Sequence, residues 1–340
     1  MNLKINYQDF VNTYRDGYNT ALFYPKVLKL KKRSLSIFEI EKKVDYKVPK
    51  STLYFWTNYN KIPLAFNDFK NLKKRFYNKD IEYLATIIGH ILGDGGIDKT
   101  KVLHYCNTEK FLIEEFRIAM KKVFNVQVKV RKETSGIMRL RYARKFSRAL
   151  ISLFGKFAGE KDKEITSQID KMPIWWKRKM MQAFYNDDGS VPKTEKYVSL
   201  TQKNKDIILW IQRTLKEMDI KSGLSEAGSN WLLRVTGYRN LLKFRDKVNF
   251  SPSYRKQIQL EEIIKKIKFP HWKTKNRIIE LLRKGLRTRQ EIADIIKMDK
   301  GVVYGHLHGW RRCHKTSTLG LIDLEMVRVK KNGRTNLYYI

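Results

Sequence analysis

Residues Leu84–Ile97 read LATIIGHILGDGGI, an apolar run that ends in an acid set between glycines. The run predicts a buried helix, and Gly89 and Gly93, about one turn apart, lie on one face of it. Each glycine costs a helix interior roughly 1 kcal/mol, so two on one face indicate that another backbone approaches closely there. Asp94 falls in the last turn, where the helix dipole disfavours a negative charge, and we therefore expect a cation beside it.

An internal repeat is indicated by Met181–Val191, which reads MQAFYNDDGSV. A small residue, an acid and a glycine come again in the same register, at Ala183, Asp188 and Gly189. One such stretch could be an ordinary buried helix that ends in an Asp-Gly turn. Two in register favour a repeated structural unit over two unrelated helices.

The two stretches resemble the paired motifs of the LAGLIDADG homing endonucleases, in the single-chain form with two repeats. The resemblance covers about residues 80–260. It implies that the motif helices pack side by side and that their final acids, Asp94 and Asp188, bind Mg²⁺ or Mn²⁺ at a pseudo-twofold centre, with Gly93 and Asp187 as further ligands. Asp187 departs from the family's pattern, which usually has a small residue there. It would either loosen the helix contact or add a second carboxylate near the metal.

Polar and basic residues of the active site are also implied by the resemblance. The family places a polar residue, which orders water near the metal, at the start of the helix after the first hairpin. Alignment puts it at Asn107 and Gln202. The family's basic residue aligns with Lys161 and with Lys256, for which Arg255 is the alternative. Each lysine would stabilise transition-state charge or hold water, or else bind only phosphate.

The balance of charges predicts a polyanionic partner. Lysine and arginine number 71 against 34 acids, which gives a net charge of +37, far beyond what solubility needs. A high lysine content can also reflect an AT-rich genome, so the charge alone does not identify the partner. No uninterrupted apolar run is long enough to span a membrane, and we expect no membrane association.

A location outside the secretory route is expected. The N-terminal MNLKINYQDF lacks the apolar core of a secretory signal, and Cys106 and Cys313 provide no disulfide framework. We therefore expect a cytoplasmic protein, or one of an organellar matrix if organelle-encoded, and not a secreted one. Met1 and Ile340 offer no splice-junction nucleophile, so an intein is not expected.

Each repeat is predicted to run helix, two strands, helix, two strands, helix. In the first repeat, residues 126–142 alternate apolar and basic side chains about a turn, which predicts a hairpin with one apolar and one basic face. A basic face can lie in a DNA groove; a solvated surface is the alternative. In the second repeat Asn230 and Arg234 share a strand face, whereas Trp231 points the other way and could equally pack in the core. The residues predicted to contact DNA are Gln127, Lys129, Arg131, Arg139, Arg141, Arg144, Asn230, Trp231 and Arg234.

Helical segments flank the repeats. In residues 1–79 an apolar stripe, a break at Pro49 and a helix capped by Ser51 predict a helix-turn-helix-like DNA-binding segment. A helical hairpin that packs on the next domain is the alternative.

The C-terminal residues 270–340 are predicted to form three helices and then a hairpin around Asn332-Gly333, an order that resembles a winged-helix domain. His306, His308, Cys313 and His314 match no common zinc spacing, so no zinc is expected. The residues predicted to contact DNA here are Lys300, Tyr304, His306, His308, Arg311, Lys331 and Arg334.

The sequence thus predicts an α+β protein in which two pseudo-symmetric αββαββα repeats, 80–170 and 171–269, form a DNA-binding saddle between the two flanking domains. The function expected from the resemblance is a monomeric, site-specific double-strand DNA endonuclease with a long target and a divalent metal. The alternatives are an RNA maturase that binds intron RNA, or a DNA-binding regulator that does not cleave. Retention of both acids favours cleavage.

Overall fold

A computed structural model describes residues 2–14, 19–159, 163–193, 195–268, 272–310, 319–333 and 335–340. The chain divides into two compact units, one of residues 1–192 and 197–259, the other of residues 193–196 and 260–340. Helices and short antiparallel sheets alternate in both, which confirms the predicted α+β class. Within the described ranges, no helix has the length and apolar character needed to cross a membrane.

The N-terminal segment is mostly helical. Its helices are α1 (Tyr7–Asn12), α2 (Tyr24–Lys31), α3 (Ile37–Lys43), α4 (Lys50–Asn58) and α5 (Leu64–Lys70), with a 3-10 helix at Asn19–Phe23, and strand β1 (Leu3–Lys4) pairs with β2 (Arg75–Phe76). Ser36 and Glu39 form a capping box on α3. The predicted cap at Ser51 is wrong, because Pro49 holds the cap position and α4 begins one residue later. Tyr24, Val27, Ile40, Leu53 and Trp56 are among the residues that join α2, α3 and α4 in one core.

The first repeat is built on a four-stranded antiparallel sheet. Its elements are α6 (Asn78–Leu92), β3 (Gly95–Ile97), β4 (Leu103–Asn107), α7 (Lys110–Phe124), β5 (Arg131–Lys132), β6 (Met138–Tyr142), α8 (Arg144–Phe154) and α9 (Ser167–Asp170), and the strand order is β3-β4-β6-β5. The predicted first strand of the hairpin is mostly wrong. Only Arg131 and Lys132 pair with β6. Val126 and Val128 are only half-buried and Val130 is exposed. No buried face is therefore present to fix a longer strand.

The second repeat has the same order of strands. Its elements are α10 (Ile174–Asp188), β7 (Gly189–Ser190), β8 (Tyr197–Gln202), α11 (Lys205–Glu217), β9 (Gly223–Ala227), β10 (Asn230–Thr236) and α12 (Tyr238–Lys247), followed by α13 (Tyr254–Lys268). The sheet runs β7-β8-β10-β9, so each strand matches one of the first sheet. The predicted repetition of helix, two strands, helix, two strands, helix is therefore present.

The motif helices α6 and α10 meet along the face that carries the small residues. A Cβ on Gly89 would lie 2.2 Å from the Met180 carbonyl oxygen and 2.8 Å from the Ala183 Cβ. One turn later, a Cβ on Gly93 would lie 2.6 Å from the Cβ of Asp187. The close approach predicted from the glycine spacing is confirmed, and Asp187 takes the space that Gly93 leaves.

Gly89→Ala tests this contact by the sign of its effect on stability. Alanine favours a helix over glycine by about 1 kcal/mol, so without the contact the change would stabilise. Because the new methyl meets backbone, we expect the free energy of unfolding to fall by about 1–3 kcal/mol in denaturant titration. Gly223→Ala is the control, since nothing lies within 4 Å of the Cβ it adds. A gain of stability at Gly89 would contradict the packing.

In the described part of the C-terminal unit, three helices follow α13 and are accompanied by a three-stranded sheet. These are α14 (Trp272–Leu282), β11 (Arg287–Thr288), α15 (Arg289–Ile296), α16 (Lys300–His308), β12 (Arg328–Asn332) and β13 (Thr335–Tyr339), with sheet order β11-β13-β12. Thr288 and Glu291 form the predicted capping box on α15, and Asp299 caps α16. Ile278, Ile292, Val303, Leu307 and Tyr338 belong to its core. The predicted order of three helices and a hairpin is present.

Candidate active site

Two carboxylates lie at the ends of the motif helices, each with an amide from its own repeat. Asn107 at the end of β4 donates its Nδ2 hydrogen to Asp94 Oδ2, 2.9 Å away. Gln202 at the end of β8 donates in the same way to Asp188 Oδ2. The two amides predicted by alignment are thus brought to the two acids, in equivalent places.

A lysine lies against the carboxyl end of each motif helix. Lys163 Nζ donates to the carbonyl oxygens of Leu92, at 2.9 Å, and Gly93. Lys256 Nζ donates to the carbonyl oxygen of Asn186 and lies 3.4 Å from that of Asp187. These are the cations that an acid at a helix C-terminus requires.

Lys256 and not Arg255 takes this place in the second repeat. The Arg255 guanidinium lies 3.2 Å from Glu109 Oε1 instead. In the first repeat the alignment chose Lys161, which lies outside the described residues. Lys163, two positions later, was not predicted; a second lysine in the same short segment was the only signal for it.

Asp187 bridges the two repeats from a fully buried position. Its side chain is 0% exposed. It accepts hydrogen bonds from the Tyr105 hydroxyl at 2.8 Å, from His90 Nδ1 at 3.0 Å and from the Asp94 backbone N–H at 3.3 Å. The carboxylate therefore does not loosen the helix contact. Both of its oxygens already accept hydrogen bonds, and its role as a further metal ligand stays a prediction.

A protonated His90 balances this buried charge. Its ring Nε2 lies 3.2 Å from Glu115 Oε2 on the side away from Asp187. Burial alone would lower the pKa of His90, but Asp187 and Glu115 raise it to about 10. The imidazolium is thus held between two carboxylates, as a buried charge must be. Sequence reasoning missed His90, although a histidine inside an apolar motif helix was a visible signal.

The local electrostatics favour a cation beside Asp94 and Asp188. Although Asp94 is exposed to solvent, the protein around its carboxyl partly removes it from water, and this, followed by repulsion from Asp187, raises the pKa of Asp94 to about 6. Burial and then the two neighbouring carboxylates raise the pKa of Asp188 to about 7. Lys163 opposes both shifts without cancelling them. A divalent cation would remove this repulsion.

The side chains at this site suit Mg²⁺ or Mn²⁺ better than they suit a metal whose ligands are all supplied by the protein. Within the described residues, no three His, Cys, Asp or Glu side chains form a complete metal-binding group. Mg²⁺ usually takes one or two carboxylates and keeps several waters or substrate phosphates. Asp94 and Asp188 supply two carboxylates, and Asn107 and Gln202 can bond such waters.

The raised pKa of Asp188 predicts how stability depends on pH without metal. A carboxyl whose folded pKa lies above its unfolded value contributes stability at low pH and loses it as pH rises through the folded value, here about 7. In EDTA, the Tm of Asp188→Asn minus the Tm of wild type should therefore be larger at pH 8 than at pH 5. A difference in Tm that is the same at both pH values would contradict the shift.

The outer face of the first sheet is basic. We define it as the side that carries His104, Cys106, Arg131, Arg139 and Arg141. In the strand register, Arg139 lies opposite both Arg131 and Cys106, and Arg141 lies opposite His104. The opposite side is buried and carries Leu103, Tyr105, Leu140 and Tyr142. Gln127 and Lys129 are exposed in the irregular segment before β5, and Arg144 is exposed at the start of α8.

The outer face of the second sheet carries Ser199, Thr201, Ser225, Asn230, Leu232 and Arg234. Asn230 and Arg234 share this face, as predicted. Trp231 does not: it alternates onto the side of the buried Leu233 and Val235, where Lys205 Nζ lies 4.2 Å from its ring centroid. The ring is half-buried and lies opposite Gln202, so a DNA contact by Trp231 stays a prediction that the outer face does not support.

In the C-terminal unit, the predicted contact residues differ in exposure. Lys300, Tyr304 and Lys331 are exposed. His306 and His308 are half-buried, and His308 Nε2 lies 2.9 Å from the Tyr338 hydroxyl. Arg311 and Arg334 lie outside the described residues, as do Cys313 and His314.

Comparison with curated proteins finds similarity over part of much longer chains. One is the tRNA-splicing ligase RtcB of Pyrococcus furiosus, 26% identical over 221 residues that cover 55% of this chain and 23% of that protein. Another is the glutamine–fructose-6-phosphate aminotransferase of Methanocaldococcus jannaschii, 22% identical over 197 residues, with 54% and 18% covered. This chain spans about a quarter or less of their lengths. Their names describe two different chemistries, and neither is transferred to it.

Solved structures similar to the chain include variants of the homing endonuclease I-DmoI, with 17% identity, a TM-score of 0.41, and coverage of 51% of this chain and 98% of that one. The homing endonuclease I-WcaI bound to its DNA recognition sequence has 17% identity, a TM-score of 0.40 and coverage of 54% and 88%. Full-length DUF199/WhiA from Thermatoga maritima has 11% identity, a TM-score of 0.38 and coverage of 68% and 90%.

A family model locates the second repeat. The model of the LAGLIDADG-like domain matches residues 175–249, from the start of α10 to just after α12. The first repeat has the same strand order and the same pairing of a helix-end acid with a strand-end amide. The chain therefore contains a LAGLIDADG-like domain in its second repeat and a matching structural unit before it.

Proposed function

We propose that the protein is a divalent-metal-dependent, site-specific DNA endonuclease that cuts both strands, a homing endonuclease of LAGLIDADG type. The observation that carries the proposal is the pair of acids at two abutting helix ends. Each acid has an amide partner and a lysine behind it. A protein that only binds DNA has no use for paired acids facing phosphate, since they repel it.

Asp94 and Asp188 would hold Mg²⁺ or Mn²⁺. The metal, when bound, neutralises charge on the scissile phosphate and makes its bound water a better nucleophile. Asn107 and Gln202 fix the carboxylates and offer remaining hydrogen-bonding capacity to a water. Lys163 and Lys256 place positive charge at the helix ends, where they favour the ionised acids and extra negative charge on phosphorus.

Double-stranded DNA is the proposed substrate because of the net charge and the outer faces of the sheets. The net charge is +37, and counterion release makes such a charge effective against phosphate. A long target is proposed because both outer faces and the flanking units, with the exposed Lys300 and Lys331, offer DNA contacts. A monomer that acts in the cytoplasm or an organellar matrix is part of the same proposal.

A random duplex library tests this function. The protein is incubated with the library and Mg²⁺, and the cut ends are sequenced. We expect recurrent paired ends from one sequence and its near variants, and none in EDTA. DNA that is bound but never cut, with Mg²⁺ or Mn²⁺, would favour the alternative of a non-cleaving regulator.

Unequal cutting of the two strands is expected from differences between the repeats. The first acid is paired with the shorter Asn107 and the second with Gln202, and Asp187 in one motif helix faces Gly93 in the other. On a supercoiled plasmid that carries the selected target, a time course should show a nicked intermediate before linear product. Linear product without any nicked species, over a range of Mg²⁺ concentrations, would argue against this.

A further inference from the structure

Equivalent positions on the two outer faces carry different chemistry. The amide-bearing residues Asn107 and Gln202 pair with Met138 and Trp231, and this fixes how one sheet maps onto the other. The residues that lie one position further from the helix ends along each strand form what we call the inner row of each sheet. In the first sheet the inner row is Cys106, Arg139 and Arg131; in the second it is Thr201, Leu232 and Ser225.

The difference in arginine content is found in this row. One step further from the helix ends, Arg141 pairs with His104 in the first sheet, and Arg234 pairs with Ser199 in the second. Both sheets therefore have an arginine in the second row. Only the first sheet has arginines, two of them, in the inner row.

Arg139 is oriented by its neighbours. Its Nε donates to Cys106 Sγ, 3.2 Å away, and its Nη2 lies 3.0 Å from Glu133 Oε1. The Arg139 and Glu133 side chains are 43% and 38% exposed, so their ion pair adds little to stability. Glu133 also offsets the charge that would attract a phosphate. What the contacts provide is a planar donor group held in one direction on the outer face.

The inner row of the second sheet has no formal charge. Leu232 is half-buried and flanked by the hydroxyl-bearing Thr201 and Ser225. In the major groove, arginine bonds both acceptors of guanine, whereas apolar side chains contact the methyl group of thymine and hydroxyls bond any base. The two inner rows are therefore complementary to different base pairs.

We infer that Arg139 reads a guanine at the base pair beneath it, and that the base pair at the matched position under Leu232 is A·T. The inference rests on the proposed DNA-cutting function and names the substrate of that site more closely. Strand and duplex both rise about 3.4 Å per residue or base pair. The second rows, with Arg141 and Arg234, therefore fall about two base pairs further from the centre and are expected to be alike.

Exchanging the inner-row residues tests the inference. Wild type, Arg139→Leu and Leu232→Arg are each used to select duplexes from a random library in Ca²⁺, and the selected sequences are compared at the two matched positions. Wild type should enrich guanine about ten- to hundred-fold in one half only. Arg139→Leu should lose that preference, and Leu232→Arg should create one in the other half.

Arg139→Lys is the matched variant that keeps the charge but lacks the fork that contacts two acceptors. Because lysine can also donate to guanine but without the fixed fork, the guanine preference should weaken while the dependence of affinity on salt stays unchanged. Melting curves identify any variant that is misfolded. In that case Arg131→Ser serves as the second test of the row, because it replaces an exposed residue of the first sheet with the residue type found at the matched position of the second sheet, Ser225. Guanine enriched equally at the two matched inner-row positions by wild type would overturn the inference. So would an Arg139→Leu protein that binds all targets more weakly, with a flatter salt dependence and unchanged base preferences.

Cleavage is scored separately, in Mg²⁺, on the selected duplexes. Asymmetric selection without any cutting would contradict the proposed function and leave this inference standing. Cutting of targets with guanine at both matched inner-row positions would contradict only this inference. No enriched duplex at all would contradict both.

Discussion

Replacing Asp94 or Asp188 with asparagine is expected to abolish double-strand cleavage, by about 10²–10³-fold or more, while DNA binding survives or tightens. Each acid lies at a helix end where its charge is already opposed by its neighbours. The amide keeps the shape and a hydrogen bond to Asn107 or Gln202 but cannot neutralise a metal. Binding should not suffer, because a charge that repels phosphate is removed.

End-labelled target duplex, with cleavage and affinity measured side by side, checks this prediction. Asp206→Asn is the control, since it removes the same charge from an exposed position in the second repeat and should cut normally. Full cutting by either Asp94→Asn or Asp188→Asn would remove that acid from the proposed metal site.

Asp187→Ala is expected to lower the free energy of unfolding by about 3–5 kcal/mol, the usual cost of leaving one partner of a buried ion pair behind. His90 would lose the carboxylate that holds it charged, and the Tyr105 hydroxyl and Asp94 backbone N–H would lose an acceptor. Denaturant titration at pH 7 measures the change.

His90→Leu completes a double-mutant cycle. If the two residues form one buried pair, removing both should cost clearly less than the sum of the single changes. Effects that add within about 0.5 kcal/mol would show that Asp187 and His90 act independently. A wild-type-like stability of Asp187→Ala would contradict the bridge altogether.

The features that the sequence predicted best are those that depend on the short-range spacing of residues along one helix or one strand. The glycines of α6 predicted a close helix contact because helical geometry fixes which residues share a face. Asn107 and Gln202 were located by their alignment with the polar residue of the LAGLIDADG family, which the resemblance of the two motifs made possible. The same period-2 logic put Asn230 and Arg234 on one face and Trp231 on the other.

The features that sequence did not predict depend on partners distant along the chain. His90 and Asp187 are 97 positions apart, and neither residue alone indicates the other. Lys163 was passed over because two lysines in one segment cannot be distinguished without knowing which reaches the end of α6. The valines before Arg131 alternate like a strand, but no core lies under them to fix that strand.

Mn²⁺ binding measured by electron paramagnetic resonance, on the protein bound to its selected duplex, tests most directly whether Asp94 and Asp188 hold the metal. Wild type and the Asp94→Asn/Asp188→Asn double variant are compared at equal DNA occupancy. The proposed site predicts that wild type binds Mn²⁺ and that the double variant loses this binding while it keeps the DNA. Unchanged Mn²⁺ binding by the double variant would contradict it.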